Sequence, residues 1–197
     1  MEELKLKHKK YEVLEDLGSF DLYDALRLVR KNKKYTYKKY KSIAGYKDEM
    51  DRYTQLVKAG IRIPKIIDKD KKTLEVIFDY LEGERCDSLL VKNDFELPEI
   101  YYERLFIVYR FCRFSKIELN YLPENFVLKN DLLYYDSLDI YNQNSKINLE
   151  NYGLHFWFKS AKAYEHLEKL GYKFEKKQIL KKGEANKKIV LLSIKYW

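Results

Sequence analysis

The sequence contains few residues of the types that break regular structure, form disulfides or bind metal ions. Its 197 residues include 7 glycines, 3 prolines, 2 cysteines and 3 histidines. The separation between Cys86 and Cys112 fits neither a zinc-binding nor a redox motif, and the histidines show no ligand spacing. We therefore expect two buried thiols in a cytoplasmic protein, with His8, His155 and His166 as structural or surface residues.

Long apolar segments are also missing. No run of about 18 apolar residues occurs, so we expect no transmembrane segment. The amino-terminal stretch MEELKLKHKKYEV begins with charged residues and lacks the apolar core of a signal peptide, so we expect no export. The length allows one domain, or two small lobes that share an interface, with a sizeable core.

Positive charge is in excess. The net charge of +8 and the isoelectric point near 9.1 suit an anionic partner, which could be nucleic acid, a membrane surface or a phosphate-bearing ligand. The lysines are spread along the chain and mixed with acids, which is typical of a solvated surface. Charge alone therefore does not choose among these partners, and a basic nucleic-acid-binding protein stays open as an alternative.

The first part of the chain has the pattern of a sheet with one helix. Residues 11–17 read as a strand closed by Gly18, and the turn KNKK joins two extended segments into a hairpin. Apolar positions at helical spacing predict a helix over residues 45–59, ended by Gly60 as a left-handed cap. The segments RIPKIID and TLEVIFDYL then predict two more strands.

After the break EGE near Gly83, the pattern becomes mainly helical. CDSLLVK and LPEIYYERLFIVYRFCRFSKIEL predict helices, and the second is apolar almost all round, which predicts a central buried helix. NFVL and LLYYDSL predict a hairpin, NLENYGLHFWFKSAKAYEHLEKLGYKF predicts helix, and KKIVLLSIKYW predicts a closing strand. The apolar positions behind the buried-helix prediction are Leu105, Ile107, Val108, Phe111 and Phe114. This order predicts an α+β fold with two segregated lobes.

Several residues have the types that phosphoryl transfer requires: a cation for the phosphates, oxygen ligands for magnesium and an acid for the attacking hydroxyl. Lys38 lies in a predicted strand, and Glu49 lies on the helix that follows it. In the stretch LNYLPENFVLKNDLLYYDS, Asn125 precedes a hairpin and Asp136 ends its second strand, so both could give an oxygen to a hard cation. Asp139, three residues later, is a rival for the metal role.

These motifs together resemble the protein-kinase-like superfamily, especially its compact bacterial members related to aminoglycoside and lipopolysaccharide kinases. The resemblance covers nearly the whole chain, although each motif is degenerate. YTYKKY is similar to the strand with the phosphate-binding lysine, Lys38, and KDEMDRYTQLVKAGIRIPKII to the helix with its paired glutamate, Glu49. PENF is similar to the end of the catalytic loop, with Asn125 as a metal ligand, and LLYYD to the strand that leads to the metal-binding Asp136.

The resemblance implies a two-lobed kinase-like fold that binds ATP and Mg²⁺. Its small antiparallel-sheet N-lobe with one helix would be residues 1–80, its hinge residues 81–84, and its short, mainly helical C-lobe residues 85–197. DYLEGE is similar to the hinge segment, whose exposed backbone could pair with a flat base. The cofactor-binding candidates in that segment are Asp79, Tyr80 and Leu81.

The sequence departs from the family pattern at the catalytic centre. Asn120 stands where the family has its catalytic aspartate, five positions before Asn125, and Glu118 stands where the family has histidine or an equivalent. An amide cannot take a proton from a hydroxyl. The segment LGSFDLYDALRL keeps only Gly18 of a glycine-rich phosphate loop, and Ser137 and Leu138 follow the metal-binding position.

Two kinase-like functions follow from this comparison. The first is an atypical ATP-dependent phosphotransferase that uses Asn120 together with Glu118 or another acid. Its acceptor would be a small molecule or a sugar rather than a protein, because residues 85–197 leave little room for an activation segment and a peptide-docking surface. The second is a pseudokinase that binds nucleotide or a partner protein without catalysis.

Overall fold

The computed structural model describes residues 3–143, 146–175 and 179–197. The chain forms two compact units. The first unit contains Met1–Gln55 and Ile63–Glu82, and the second contains Leu56–Arg62 and Gly83–Trp197. Both helices and sheets are present, which confirms the predicted α+β class.

The first unit is built on a six-stranded sheet in which all neighbouring strands are antiparallel. The strand order is β1-β2-β3-β4-β6-β5. One face carries an apolar cluster made of Leu6, Tyr11, Leu28, Tyr37 and Ile77. The strands are β1 (Glu3–Leu6), β2 (Lys9–Ser19), β3 (Tyr23–Arg30), β4 (Lys33–Tyr40), β5 (Ile66–Asp70) and β6 (Glu75–Asp79).

The hairpin of β3 and β4 is formed as the sequence predicted. Arg30 pairs with Lys33, so only Lys31 and Asn32 form the turn, with φ values of 51° and 60°. Positive φ at both central residues is typical of the two-residue turns that match the twist of a hairpin. This tight turn fixes the register of β4 and therefore the face on which Lys38 lies.

Helix α1 (Ile43–Lys58) follows β4 and ends at the predicted glycine. Gly60 has a φ of 76°, its N–H donates to the Val57 carbonyl oxygen, and the Ile61 N–H donates to that of Leu56, each at 3.0 Å. These bonds satisfy carbonyl groups at the end of the helix. The left-handed cap predicted at Gly60 is confirmed.

The second unit combines four helices with five short strands among its described residues. Strands β10, β9 and β7 form one sheet in that order, and β11 pairs with β8 in another. The helices are α2 (Cys86–Lys92), α3 (Glu99–Phe114), α4 (Ala161–Lys169) and α5 (Lys182–Tyr196). The strands are β7 (Glu84–Arg85), β8 (Ile117–Leu119), β9 (Phe126–Lys129), β10 (Leu132–Tyr135) and β11 (Ile140–Asn142).

Gly83 stands where β7 approaches β9 closely. A Cβ atom at this position would overlap the carbonyl oxygen of Leu128 and lie 2.7 Å from Cγ1 of Val127. The absence of a side chain therefore lets β7 pair with β9, which explains the glycine in the EGE segment. The predicted hairpin of β9 and β10 is also confirmed, because Phe126 pairs with Tyr135.

The core of the second unit is aromatic. Fully buried side chains include Trp157, Phe126, Phe106 and Tyr121. The Trp157 indole N–H donates to the Tyr121 carbonyl oxygen at 2.7 Å, which satisfies the one polar group of the buried ring. Both cysteines are buried free thiols, as predicted. The core of this unit therefore includes aromatic residues of the stretch LNYLPENFVLKNDLLYYDS, together with others from α3 and from the segment before α4.

Helix α3 is buried on one side only, so the prediction that it is buried all round is wrong. Leu105 and Phe106 are fully buried, whereas Phe111 is 43% and Phe114 90% exposed. The α3 side chain of Arg110 donates to the carbonyl oxygen of Tyr196 at the end of α5. Apolar residues lie on both sides of α3, but only one side is buried.

The carboxyl-terminal segment forms helix α5, so the predicted closing strand is wrong. Ala185 and Ile189 are buried, whereas Leu191 and Ile194 are mostly exposed. The Glu184 carboxylate accepts from the Lys181 backbone N–H at 2.8 Å and closes the first turn. A short apolar run does not distinguish a strand from a helix, and here the preceding polar residues begin the helix.

The long segment before α5 is less helical than the sequence predicted. It contains a 3-10 turn, Gly153–Phe156, and one α-helix, α4. Ser160 begins α4, because its hydroxyl accepts from the Ala163 backbone N–H at 3.1 Å. Buried Trp157 and Phe158 lie between the turn and the helix. Core packing therefore holds this stretch in an irregular conformation.

Candidate functional site

A buried ion pair joins β4 to α1 in the first unit. Nζ of Lys38 lies 2.6 Å from Oε1 of Glu49, and the two side chains are 18% and 5% exposed. The hairpin register places Lys38 on the face of β4 opposite the apolar cluster that contains Tyr37, since successive side chains of a strand point to opposite faces. The predicted contact between Lys38 and Glu49 is therefore present.

Aromatic rings surround this ion pair. The Lys38 ammonium lies 4.0 Å from the centre of the Tyr23 ring and 5.6 Å from that of Phe78. Burial, with the nearby Glu49 carboxylate, raises the pKa of Tyr40. The lysine is thus held by one carboxylate and by ring faces, which attract cations. The Lys38 ammonium is therefore held in one position, and its side chain remains partly accessible to solvent.

The turn between β2 and β3 corresponds to the predicted phosphate loop. The Phe20 N–H donates to the Tyr23 carbonyl oxygen at 2.8 Å, and the Lys41 ammonium donates to the Ser19 hydroxyl at 2.8 Å and to the Phe20 carbonyl oxygen. Phe20 is 48% and Leu22 44% exposed. The turn is therefore anchored by Lys41 and carries bulky side chains instead of glycines.

The hinge candidates lie at the end of β6 and directly after it. The Asp79 N–H donates to the Lys65 carbonyl oxygen at 2.8 Å, and the Arg27 guanidinium lies 4.0 Å from the centre of the Tyr80 ring. Leu81 is 7% exposed, and within the described parts of the chain its backbone N–H and C=O make no hydrogen bond. These two groups could therefore pair with the edge of a base.

In the second unit, three candidates from the catalytic-loop motif form one bonded group. The Asn125 side-chain amide donates to the Asn120 carbonyl oxygen at 3.2 Å, and the Asp136 N–H donates to the Asn125 carbonyl oxygen at 2.7 Å. Tyr135 supports the same group, because its hydroxyl accepts from the Asn120 N–H at 3.3 Å. The loop and the end of β10 are thus fixed to one another through both backbone and side-chain groups.

The orientation of Asn125 suits a cation ligand. Its Nδ2 is used by the bond to Asn120, so Oδ1 is the side-chain atom that can accept from or coordinate a ligand. Asp136 is exposed at the end of β10. The described ranges contain no cluster of three His, Cys, Asp or Glu side chains able to hold a metal by themselves. A magnesium ion bound by one or two protein oxygens and by phosphates does not need such a cluster.

Asp139 is placed differently from Asp136. Its carbonyl oxygen accepts from the Tyr135 hydroxyl at 2.8 Å, and its N–H donates to the Ser137 hydroxyl at 3.2 Å. None of these bonds involves Asn125. The backbone of Asp136 is thus bonded directly to Asn125, and both acids stay candidates for the second oxygen ligand.

Glu118 is buried in β8, and this placement is inconsistent with direct contact between its carboxyl group and a substrate. The residue is 0% exposed, and its Oε2 accepts from the Tyr121 hydroxyl at 3.1 Å. Arg113 lies 3.8 Å from its other oxygen. Burial raises the pKa of Glu118, because the charged form loses solvation. From the core, Glu118 thus holds the loop that contains Asn120 through its hydrogen bond with Tyr121.

A second polar group was not found from the sequence. The Arg85 guanidinium donates to both carboxylate oxygens of Asp87, at 3.1 and 2.9 Å, and the Tyr172 hydroxyl donates to the same carboxylate at 3.0 Å. Arg85 and Asp87 are only two residues apart, which could have signalled a pair. Nothing in the sequence relates them to Tyr172, because that contact spans 85 positions.

A contact between Glu124 and His166 was also missed. The His166 Nε2 atom lies 2.9 Å from Oε1 of Glu124, the residue before Asn125. Glu124 belongs to the 3-10 turn Pro123–Asn125, and His166 to α4. The sequence predicted His166 to be a structural or surface residue. It did not identify Glu124 as its partner, because the two residues are 42 positions apart.

Comparisons with known proteins bear on the fold. No protein-family profile matches the chain, and no curated protein matches its sequence. Among 889 matching chains of solved structures is the autoinhibited serine kinase domain of the giant muscle protein titin. The identity is 19%, the TM-score is 0.50, and the match covers 67% of this chain and 46% of the titin kinase chain.

At this identity the similarity establishes a fold. Because the match covers less than half of the titin kinase chain, activity, substrate and partners do not follow from it. Across the described ranges, no helix has the length and apolar character that would be needed to cross a membrane. The narrower resemblance to bacterial aminoglycoside and lipopolysaccharide kinases stays a prediction. This α+β chain has a kinase-like fold.

Proposed function

We propose that this chain is an atypical ATP-dependent phosphotransferase that binds ATP together with Mg²⁺. The observation that carries the proposal is the contact of 2.6 Å between Lys38 and Glu49. The Glu49 side chain, which is 5% exposed, holds a strand lysine. A lysine at the protein surface would gain little from such an ion pair. An orienting carboxylate is expected where a lysine must present its charge to phosphate groups.

Each candidate residue has a role in this proposal. Lys38 would bind the phosphates, and the backbone of Leu81 would pair with the base. Oδ1 of Asn125 and the carboxylate of Asp136 would hold Mg²⁺, which would neutralise charge on the phosphate oxygens. The bond between the Asp136 N–H and the Asn125 carbonyl oxygen supports this pairing of ligands.

Asn120 makes the proposed enzyme slow. Its Oδ1 accepts from the Leu122 N–H at 3.4 Å, so the side chain stabilises the loop and carries no charge for the acceptor hydroxyl. Loss of a positioned base typically lowers a rate by about 10²–10⁴-fold. Phosphoryl transfer has a loose transition state that depends more on charge neutralisation, so turnover can persist without the base. We propose a small molecule or a sugar as the acceptor.

A pseudokinase is the second candidate function. The acids of the loop between residues 118 and 125 are Glu118 and Glu124. Glu118 is buried, and Glu124 contacts His166 at 2.9 Å. Neither is placed as a substitute base, which favours nucleotide binding without chemistry.

Thermal unfolding with and without Mg²⁺-ATP tests nucleotide binding, because a ligand that binds the folded state raises the melting temperature. We expect a rise in the wild type, and a smaller one in Lys38→Met and Asp136→Asn. No rise in the wild type would contradict the phosphotransferase and the nucleotide-binding form of the pseudokinase. Tight oligonucleotide binding with a steep salt dependence would then favour the nucleic-acid-binding alternative.

Asn120→Asp separates the enzyme from the pseudokinase. Restoring a carboxylate should raise ATP consumption by about 10²-fold or more if the remaining site is intact. Asn186→Asp, which changes an exposed asparagine of α5, is the control and should leave the rate unchanged. ATP consumption that is absent from the wild type and from Asn120→Asp, despite nucleotide binding, would favour the pseudokinase.

A further inference from the structure

The second unit contains an open cavity beside β7. Its volume is about 600 Å³, which is in the range of small-molecule sites. Polar side chains of β7 and α2 line one part, and Leu170 and Tyr172, which follow α4, line another. The lining residues are Gly83, Glu84, Arg85, Asp87, Ser88, Leu170 and Tyr172.

The guanidinium of Arg85 lines this cavity and is held by two hydrogen bonds. Two of its N–H groups donate to the two oxygens of Asp87, a carboxylate that is 1% exposed. A guanidinium has five N–H groups, so three remain for another partner. The Arg85 side chain is 55% exposed. A buried acid thus holds an accessible cation in one orientation, which removes part of the entropy cost of binding through it.

Most acceptor sites of the Asp87 carboxylate are already used. Asp87 accepts two bonds from Arg85 and one from the Tyr172 hydroxyl. Glu84, the other acid of the lining, is bound by the Lys92 ammonium at 2.9 Å. Around Arg85 itself, the groups left for a ligand are therefore mainly donors: its three remaining N–H groups, with the Ser88 hydroxyl as donor or acceptor. Such a set complements an oxyanion better than it complements a cation or a neutral polyol.

The cavity is also next to the candidate catalytic loop. Both β7 and α2 pack against the 3-10 turn Pro123–Asn125, whose last residue is the proposed cation ligand. Glu124 of that turn is one of the charges that act on Arg85. A ligand bound by Arg85 would therefore be held beside the loop that carries Asn120 and Asn125.

We infer that Arg85, oriented by Asp87 and Tyr172, binds a phosphate or carboxylate group of the phosphoryl acceptor in this cavity. The binding of an oxyanion stands on the geometry of Arg85 alone. Its assignment to the acceptor rests on the proposed phosphotransferase function. The inference narrows the acceptor class from any small molecule or sugar to one that carries an anionic group, such as a sugar phosphate or a sugar acid.

The test uses the full chain without nucleotide, at constant ionic strength maintained with chloride. Inorganic phosphate, glucose 6-phosphate, gluconate and glucose are each titrated while the melting temperature is measured. We expect the anionic ligands to raise the melting temperature and glucose to have no effect. A stronger effect of glucose 6-phosphate would indicate a phosphate-bearing acceptor, and a stronger effect of gluconate a carboxylate.

Arg85→Gln removes the cation and should weaken anion binding by at least tenfold. Arg85→Lys retains a charge for Asp87 without the planar fork, so it should fold normally and still bind more weakly than the wild type. Lys33→Gln, which removes an exposed charge from β4, is the control for non-specific attraction to a basic protein. Equal anion binding in the wild type and both Arg85 variants would overturn the inference.

Lys38→Met distinguishes this site from the proposed nucleotide site. Phosphate binding at Arg85 should persist in Lys38→Met, whereas the effect of Mg²⁺-ATP should diminish. Conversely, Arg85→Gln should retain the full effect of Mg²⁺-ATP. If phosphate binding were lost in Lys38→Met and retained in Arg85→Gln, the oxyanion site would be refuted while the nucleotide site was supported.

Discussion

The backbone N–H of Asp136 donates to the backbone carbonyl oxygen of Asn125 at 2.7 Å. This bond joins the end of β10 to the loop that precedes β9, and the side-chain amide of Asn125 extends the connection to the carbonyl oxygen of Asn120. Because the bond to Asp136 uses only backbone atoms, a side-chain substitution at Asp136 leaves it intact. Changes in cation binding can therefore be measured there without loss of the loop.

Asp136→Asn should weaken the dependence of nucleotide binding on Mg²⁺. The substitution removes the negative charge but preserves side-chain shape, so we expect at least a tenfold higher magnesium concentration for half of the nucleotide-induced melting shift. Asp139→Asn is the matched control and should behave as the wild type. The opposite result, with magnesium dependence changed only in Asp139→Asn, would assign the ligand to Asp139.

Lys38→Met should remove most of the melting shift produced by Mg²⁺-ATP and should also destabilise the protein alone. The buried Glu49 carboxylate would lose its partner, which costs roughly 1–3 kcal/mol of the free energy of unfolding. Lys39→Met, on the opposite face of the same strand and exposed, is the control. Chemical denaturation measures the stability change. Equal nucleotide shifts in the two variants would remove Lys38 from the binding site.

Glu118→Gln should change how stability depends on pH. Burial raises the pKa of Glu118 in the folded protein above its value in the unfolded chain. The stability that Glu118 contributes is therefore fully present below about pH 4, and it is lost as the pH rises through the pKa of the folded state. Glutamine cannot ionise and can still accept from the Tyr121 hydroxyl. The variant should therefore gain stability relative to the wild type as the pH rises.

The control for this change is Glu103→Gln, since Glu103 is an exposed acid of α3. Its unfolding free energy should follow the wild-type curve between pH 4 and 8. If the difference in unfolding free energy between Glu118→Gln and the wild type stayed constant across that range, ionisation of Glu118 would not lower the stability of the folded protein.

Two isoleucines of α5 give a matched test of the helix that replaces the predicted strand. Ile189 is 8% and Ile194 is 76% exposed. Ile189→Ala should lower the free energy of unfolding by about 2–4 kcal/mol, because it removes buried methyl and methylene groups. Ile194→Ala should change it by less than about 0.5 kcal/mol. A larger loss at Ile194 than at Ile189 would mean that α5 packs through its other face.

Local patterns predicted most of the first unit. The turn at Lys31 and Asn32 and the cap at Gly60 depend on backbone conformations that nearby residues impose. Alternation along β4 places Lys38 on the face opposite Tyr37, so its contact with Glu49 could be predicted from a strand followed by a helix. The metal candidates were similarly found because a turn and a strand end stand close in the sequence.

Packing decided the parts that were predicted wrongly. KKIVLLSIKYW is apolar enough for either a strand or a helix, and in the fold it belongs to α5, which packs against α3. Glu118 has the residue type of a catalytic acid, but its position in β8 places it in the core. Phe114 has the residue type of a core residue and is 90% exposed.

The two predicted hairpins, the tight turn at Lys31 and Asn32, the cap at Gly60 and the face occupied by Lys38 were determined by the sequence itself, because they depend on residues within a few positions of one another. The orientation of Arg85 by Asp87 and Tyr172, the burial of Glu118 and the contact between Glu124 and His166 were decided by the tertiary structure. These features bring together residues that are distant in the chain, or depend on which side of an element is covered, and both are consequences of packing.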